Sequence, residues 1–320
     1  MSDLGFGNIK LYAGSGCPEL AQRISDYIDV PLSGWDIINF PNDNIWVKLH
    51  GSVRGQDVFL IHTHTRPVHR NIMEMLIAID TLKRDSAGRI TIVVPYLAYS
   101  QSDQKTQPRT PITARLLADM IEVAGTDRWM TLDLHAGQIQ GFYKIPGDVL
   151  TARYIIGDYF KKKSLDNTVI VTPDLGFAKG GRKYADELGL PLAFVEKRRL
   201  GPDLRREALT LIGEVADRNV IIVDDLVDTA GSIQQAVETV KKNGARDVYV
   251  AFTHAVLSDP AAERLASLPI KEIVTTDTIP IPPDKATLLP NITVLTVAEL
   301  LGEVILRSHE GRSVGELFNE

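Results

Sequence analysis

The sequence predicts an α/β protein of two similar, doubly wound domains, each built on a mostly parallel sheet. Three observations lead there. The chain has 320 residues, room for two domains of roughly 150 each. Short apolar runs of β type alternate with amphipathic stretches of helical period. The second half then repeats the alternation of the first. Strands separated by helices give a parallel sheet covered on both faces, and ligand sites in such sheets lie at the carboxyl ends of the strands.

The elements follow in chain order. Val58–Ile61 reads as a strand, and Asn71–Arg84 as a helix carrying Ile72, Met75, Leu76, Ile79 and Leu82 at helical spacing. Arg89–Val94 is a buried-strand run stopped by Pro95. A helix opening at Pro111 is expected to turn Leu116, Leu117, Met120 and Ile121 inward and to stop at Gly125. Trp129–Leu134 is the next strand. In the second half, Thr168–Thr172 is a strand, Gly180–Leu188 a helix ended by Gly189, and Asn219–Asp224 a strand. Ser232–Lys242 is a helix with Ile233, Ala236, Val237 and Val240 inside, and Asp247–Thr253 a further strand. The boundary falls near Gly147–Thr151, giving domains 1–148 and 149–320, with Val294–Ile305 expected to pack back on the first. The Gly-, Pro- and charge-rich stretch Leu200–Arg206 is the candidate for a closing flap.

Composition is that of an ordinary globular protein: 44% hydrophobic and 24% charged residues. Lys plus Arg is 35 against 41 for Asp plus Glu, a formal charge of −6. This balance argues against nucleic acid or a membrane surface as the main partner and leaves room for a local basic pocket. Cys17 is the single cysteine, so there is no intrachain disulfide and no thiol metal site, which suits a reducing compartment. Met1–Lys10 lacks the basic and apolar regions of a signal peptide, and no apolar run approaches the ~18–20 residues of a spanning helix. A cytoplasmic protein is expected.

The strongest chemical signal is Val220-Ile-Ile-Val-Asp-Asp-Leu-Val-Asp-Thr-Ala-Gly-Ser232. A buried strand ends in two acids, passes through a small-residue turn and enters a helix. Backbone N–H groups at such a helix start face an anion, and Ala230 and Gly231 let the backbone approach it closely. Asp228 opens the turn, Thr229 and Ser232 add hydroxyl donors, and Asp224 and Asp225 can accept hydrogen bonds from vicinal sugar hydroxyls. The same residues would also serve as an ordinary helix cap, with Ser232 or Asp228 at the N-cap. The acid pair on a four-residue apolar run weighs against that plainer reading.

This segment resembles the phosphoribosyl-diphosphate motif of the type I phosphoribosyltransferase fold. Gly51-Ser-Val-Arg-Gly55, the Met73–Arg84 helix, Asp133-Leu-His-Ala-Gly-Gln-Ile-Gln-Gly-Phe142, Thr172-Pro-Asp-Leu-Gly176, Lys197-Arg-Arg199 and Thr253-His-Ala-Val-Leu-Ser258 narrow the resemblance. They are similar, in the same order, to the ribose-phosphate pyrophosphokinase (PRPP synthetase) family. The resemblance implies transfer of diphosphate from ATP to the C1 hydroxyl of ribose 5-phosphate. It implies Mg²⁺ at His135 and Asp174, a catalytic basic pair in Lys197 and Arg199, and ribose 5-phosphate in the 224–232 segment. It further implies a homo-oligomer built from dimers, as large as a hexamer, with Phe40 of one subunit completing a neighbour's nucleotide pocket. His62, His64 and His69 are read as structural.

Departures from the family cluster on the nucleotide side. Phe40-Pro-Asn-Asp-Asn44 stands where the family has Phe-Ser-Asp-Gly-Glu, so Asn42 and Asn44 flank Asp43 with amides in place of acids. A carboxylate only accepts hydrogen bonds, whereas an amide also donates. In Tyr99-Ser-Gln-Ser-Asp-Gln-Lys105, Gln101 and Gln104 replace two expected arginines, leaving Ser102, Asp103 and Lys105 as further nucleotide contacts. Gly51 replaces a Glu, and Phe177 replaces a second Gly in the diphosphate loop, where its bulk would narrow the approach to phosphate. Gln104, Gln107 and Gly315 stand where family members often carry charged or hydroxyl residues tied to phosphate activation and ADP inhibition. An ATP-using synthetase is the favoured reading. The alternatives are the same reaction with a changed donor, or a weakly active homologue that regulates active subunits. A phosphoribosyltransferase is disfavoured, because such enzymes lack the N-terminal half.

Overall fold

The structure, a computed structural model, describes residues 5–199 and 207–318, without the side chains of 197–199, 207 and 208. The chain divides into two compact units. One comprises Met1–Thr151, Thr278–Pro280 and Thr296–Glu320; the other comprises Ala152–Asp277 and Ile281–Leu295.

The first unit holds β1 (Ile9–Ala13), α1 (Pro18–Ile28), β2 (Trp35–Asn39), β3 (Ile45–Leu49), β4 (Asp57–Ile61), α2 (Val68–Arg84), β5 (Arg89–Val94), α3 (Thr113–Ala124), β6 (Arg128–Leu132) and β7 (Gly147–Leu150). Strands β1-β4-β5-β6-β7 form an all-parallel sheet in that order, and β2 and β3 pair separately as an antiparallel hairpin. Every residue of β4 is buried, as a parallel sheet covered on both faces requires. In α2, Ile72, Met75, Ala78, Ile79 and Leu82 are inside, following the expected spacing.

Helix α3 departs from expectation. Its buried stripe is Ala114, Leu117, Ala118 and Ile121. Leu116 and Met120, expected inside, are 56% and 36% exposed, and Val123 is 88% exposed. The helix starts at Thr113 rather than Pro111, and the small residues Ala114 and Ala118 complete the inner face, so the apolar excess lands outside. Gly125 caps the helix in the left-handed region (φ 114°), where it was expected to stop.

The second unit holds α4 (Arg153–Lys161), β8 (Thr168–Thr172), α5 (Ala178–Leu188), β9 (Leu192–Arg199), β10 (Glu207–Ile212), β11 (Asn219–Val227), α6 (Gly231–Lys242), β12 (Val248–Ala255), α7 (Ala261–Ala266), β13 (Glu272–Thr276), α8 (Pro283–Leu288) and β14 (Ile292–Leu295). Its sheet runs β10-β9-β8-β11-β12-β13-β14, parallel except for the antiparallel edge pair β9–β10. Strand β11 is central and runs three residues past its expected end. Leu226 and Val227 still pair with His254 and Ala255 because β12 is longer too. The acid pair therefore lies within the strand rather than at its tip.

Helix α9 (Ala298–Glu310) belongs to the first unit and packs on α1. Gly302 makes this approach feasible, since a Cβ there would lie 2.5 Å from the Tyr27 ring. The buried Asp57 carboxylate anchors the helix end. It takes a forked pair of hydrogen bonds from Arg89 and meets His309 Nδ1 at 2.8 Å, while Arg89 also donates to the Ser308 carbonyl. Among the described residues, no helix is long and apolar enough to cross a membrane.

Candidate active site

The site begins with the core of the second unit. Val220, Ile221, Ile222 and Val223 of β11 are at most 1% exposed. They carry Asp224 and Asp225 to a fixed place in the sheet. Asp225 donates its backbone N–H to Asp224 Oδ1 at 3.0 Å. Desolvation, then the charges of Asp225 and Asp174, raise the Asp224 carboxyl well above the ordinary carboxylate range.

The turn after β11 is shaped for an anion. Ala230 sits in the left-handed region (φ 60°, ψ 16°), and α6 opens at Gly231 with no side chain capping it. Neither Asp228 nor Ser232 is an N-cap, so the capped-helix alternative does not hold. The first turn of α6 thus leaves its N–H groups for another partner. Beside Gly231 the space is open, with only Arg264 Nη1 at 3.6 Å and Thr229 Oγ1 at 3.9 Å from where a Cβ would stand. Asp228 Oδ1 is buried without a hydrogen-bond partner, a vacancy for a donor such as a ligand hydroxyl.

Neighbouring β8 delivers Asp174. The Asp174 Oδ1 accepts backbone N–H groups of Gly176 at 2.8 Å and Phe177 at 3.2 Å, and Thr172 Oγ1 donates to its carbonyl at 2.9 Å. This turn occupies one carboxylate oxygen and leaves Oδ2 to one side. Asp224 feels the charges of both Asp225 and Asp174, yet among the described residues no three His, Cys, Asp or Glu side chains are grouped so as to hold a metal ion. Phe177 has ordinary angles (φ −91°, ψ 9°), so no glycine is needed at that position. Its ring lies over Gly180, whose Cβ would come within 2.4 Å of it. The ring is thus turned onto α5 and packs against the buried cluster around Tyr184 and Ile221.

Lys197 and Arg199 lie on β9, opposite Leu209 and Glu207 of β10. Their side chains, and the flap candidate Leu200–Arg206, lie outside the described residues.

The other expected residues fall in the first unit. His135 is exposed just beyond β6, after Asp133, whose φ is 34°. Phe40, Asn42, Asp43 and Asn44 form the exposed tip of the β2–β3 hairpin, closed by Phe40 N to the Asn44 carbonyl at 2.9 Å, with Phe40 46% exposed. Gln101, Ser102, Asp103 and Lys105 lie on the loop between β5 and α3. Ser102 Oγ accepts from Thr113 N, and Gln138 Nε2 donates to Asp103. No hydrogen bond joins the two segments among the described residues.

A buried polar floor beneath the second segment completes the picture. His64 Nδ1 accepts from Ala98 N at 3.3 Å, and Tyr96 N donates to Thr63 Oγ1 at 3.1 Å. His62 meets Glu74 Oε1 at 3.0 Å, and Ser15 N donates to the same oxygen at 2.7 Å. Burial pushes the Glu74 carboxyl up, but its hydrogen bonds with His62 and Ser15 outweigh this and leave it below the usual range. His62 and His64 are therefore structural, as expected, while exposed His69 meets Tyr99 Oη at 3.1 Å. Sequence reasoning missed Glu74 and Arg264. Glu74 hid in the periodic helix, and Arg264 lies 35 positions from the turn it touches.

Two parallel α/β units, one with an uncapped anion turn behind an acid pair, define the class as a two-domain protein of phosphoribosyltransferase architecture. Family models narrow it: one described as the N-terminal domain of ribose phosphate pyrophosphokinase matches residues 9–125, and one described as a phosphoribosyl synthetase-associated domain matches 202–319. The ribose-phosphate pyrophosphokinase of Campylobacter jejuni is 45% identical over 309 residues, covering 97% of this chain and 98% of the relative. That of Bacillus subtilis is 42% identical over 315 residues, covering 98% of each. The crystal structure of phosphoribosylpyrophosphate synthetase from Mycobacterium smegmatis superposes with a TM-score of 0.90 at 40% identity, covering 95% of this chain and all of that one. The chain belongs to the ribose-phosphate pyrophosphokinase family.

Proposed function

We propose that this enzyme transfers the diphosphate of ATP to the C1 hydroxyl of ribose 5-phosphate, giving PRPP and AMP in the cytoplasm. The observation that carries the reading is the uncapped start of α6 behind left-handed Ala230, which leaves helix N-terminal N–H groups for an anion. The main chain of 228–232 with the Thr229 and Ser232 hydroxyls holds the 5-phosphate, and the Asp224, Asp225 and Asp228 carboxylates accept from the ribose hydroxyls. The ribose O1 attacks the β-phosphorus, the bond to the bridging oxygen of the α-phosphate breaks, and AMP leaves in line. Such transfers depend on positioning and charge neutralisation. Lys197 and Arg199 are assigned to the transferred phosphates and His135 and Asp174 to Mg²⁺. When bound, Mg²⁺ supplies positive charge to phosphate oxygens. Phe40, Asn42, Asp43, Asn44, Gln101, Ser102, Asp103 and Lys105 are assigned to the nucleotide.

Purified protein given ribose 5-phosphate, Mg²⁺ and ATP, GTP or CTP in turn should make PRPP with ATP. Comparable product from GTP or CTP would instead support the changed donor that Asn42, Asn44 and Gln101 suggest. No product with any donor, together with stable binding to an active synthetase, would point to a regulatory homologue.

We also assign the chain to a homo-oligomer. The exposed stripe Leu116, Met120 and Val123 on α3 supports self-association through this face. Val123→Glu should shift the protein to a smaller species in light scattering, and an unchanged mass would remove α3 from the interface.

A further inference from the structure

Arg264 stands on α7, two elements beyond the phosphate turn, and reaches back to it. Its Nη1 donates to the carbonyl oxygen of Thr229, and the same nitrogen lies 3.6 Å from where a Cβ of Gly231 would stand. The guanidinium therefore spans the turn just before α6 begins. Its mounting is firm. Ala261, Ala262 and Leu265 of α7 are at most 2% exposed. The loop that leads into α7 is tied to β11 by Leu257 N to the Val227 carbonyl at 2.9 Å, and Lys285 donates to the Leu257 carbonyl and to Asp259.

The peptide it grips is the strained one. Ala230 holds a left-handed conformation (φ 60°), which is strained for an L-residue. In a trans peptide the carbonyl and the following N–H point in opposite directions. Holding the Thr229 carbonyl toward Arg264 therefore turns the Ala230 N–H the other way, fixing the left-handed step from which α6 starts uncapped. A guanidinium with planar, directional donors suits this task better than a flexible ammonium.

We propose that Arg264 is a positioning residue for ribose 5-phosphate: it locks the Thr229–Ala230 peptide so that the turn meets the 5-phosphate preformed. This rests on the assignment of that turn to ribose 5-phosphate under the proposed function. It acts through the main chain, so it governs binding of the sugar phosphate and leaves the nucleotide and the chemical step little changed.

The test is calorimetric titration of the full-length protein with ribose 5-phosphate, alongside steady-state kinetics. Arg264→Ala should raise both Kd and KM for ribose 5-phosphate about ten-fold or more, the scale of a lost charge-assisted hydrogen bond. Its kcat and its KM for ATP should stay within about two- to three-fold of wild type. Arg264→Lys, which keeps the charge and the aliphatic stem, should lose most of the same affinity. Adding Ala230→Gly to Arg264→Ala should recover part of it, because glycine adopts the left-handed step without strain. A wild-type Kd for either Arg264 variant, or full affinity in Arg264→Lys alone, would overturn the positioning role. A wild-type protein that does not bind ribose 5-phosphate would overturn the functional reading and this inference with it.

Discussion

The turn at 228–232 grows out of a central strand buried on both faces, whereas the segments at 40–44 and 99–105 stand on loops whose side chains are largely exposed. In the turn, the proposed recognition of ribose 5-phosphate is a matter of main-chain geometry. Moving one residue moves the strand end, the left-handed step and the helix start together. In the loops, the proposed recognition of the nucleotide belongs to side chains that can change without cost to the fold. That contrast matches the departures from the family that the sequence resemblance implies. By that resemblance the acid pair and the Asp-Thr-Ala-Gly-Ser run keep the motif, while Asn42, Asn44 and Gln101 stand where two acids and an arginine are expected.

The largest expected effect tests the assignment of the basic pair on β9 to the transferred group. Lys197→Ala should lower kcat on the order of 10³-fold, as loss of a charge on a transferring phosphate does, while ribose 5-phosphate still binds. Near-normal turnover in a stopped assay of PRPP would remove Lys197 from the transferred group.

The second test asks whether the nucleotide side is loose throughout or only at its surface. His64 lies fully buried under the 96–100 segment, and its Nδ1 accepts the Ala98 N–H. That hydrogen bond requires the nitrogen to be unprotonated. Burial, with a smaller contribution from His62, pushes the imidazole down to about 3 from its ordinary 6.5. The sign follows from the depressed value. Above pH 6.5 the folded and unfolded chains are both neutral at this position and its contribution is complete. Below it the unfolded chain takes up a proton that the folded chain refuses, and stability falls until pH nears 3. Between pH 7.5 and 5 the loss from this one group reaches about 2 kcal/mol. His64→Asn, which keeps an acceptor for Ala98 N, should flatten the pH dependence of urea melts by up to that amount. Parallel slopes for the two proteins would mean that His64 is not held neutral.

A third, smaller effect probes the turn itself. Asp228 Oδ1 is buried and unpartnered in the free chain, which costs folding energy. Asp228→Ala should therefore weaken ribose 5-phosphate binding about ten-fold while leaving the thermal midpoint unchanged or higher. A variant that loses stability and keeps its affinity would place Asp228 in the scaffold. Thr229→Ala should weaken the sugar phosphate more than the nucleotide, and the reverse order would mean that the two pockets had been exchanged.

The legible parts of the molecule are those governed by local rules. The alternation of β-branched runs with 3.6-period stretches located β5, β8 and α2 within a few residues, and Gly125 and Gly189 stopped their helices in the left-handed region. The strand, turn and helix around residues 219–242 were legible because they are contiguous, although β11 runs on past the acid pair that was expected to end it. The inner face of α3 was misread because Leu116 and Met120 are as apolar as Leu117 and Ile121, and only the packing partner decides which pair turns in. The β2–β3 hairpin went unread because burial alternates along its strands while apolar Ile38 and Trp46 sit on the exposed face, so the residue types do not show the period of two. The grip of Arg264 on Thr229 was invisible for another reason: no periodicity connects residues brought together by a seven-stranded sheet.

The smallest effect bears most directly on the contrast between the two regions. If the exposed segments read the base through side chains alone, restoring acids and a cation there should change donor preference and nothing else. Asn42→Asp and Asn44→Glu supply acceptors for an exocyclic amino group, and Gln101→Arg returns a planar cation able to stack on a base or pair with phosphate. Each site is exposed, so water competes for every new contact and the gain is limited. The triple variant should raise kcat/KM for ATP relative to GTP by about three- to ten-fold, with KM for ribose 5-phosphate and the thermal midpoint unchanged. Competition assays with both nucleotides present measure that ratio directly. A shift in ribose 5-phosphate affinity would show that the two sides are coupled, and an unchanged ratio would mean that base choice is made by groups outside these loops.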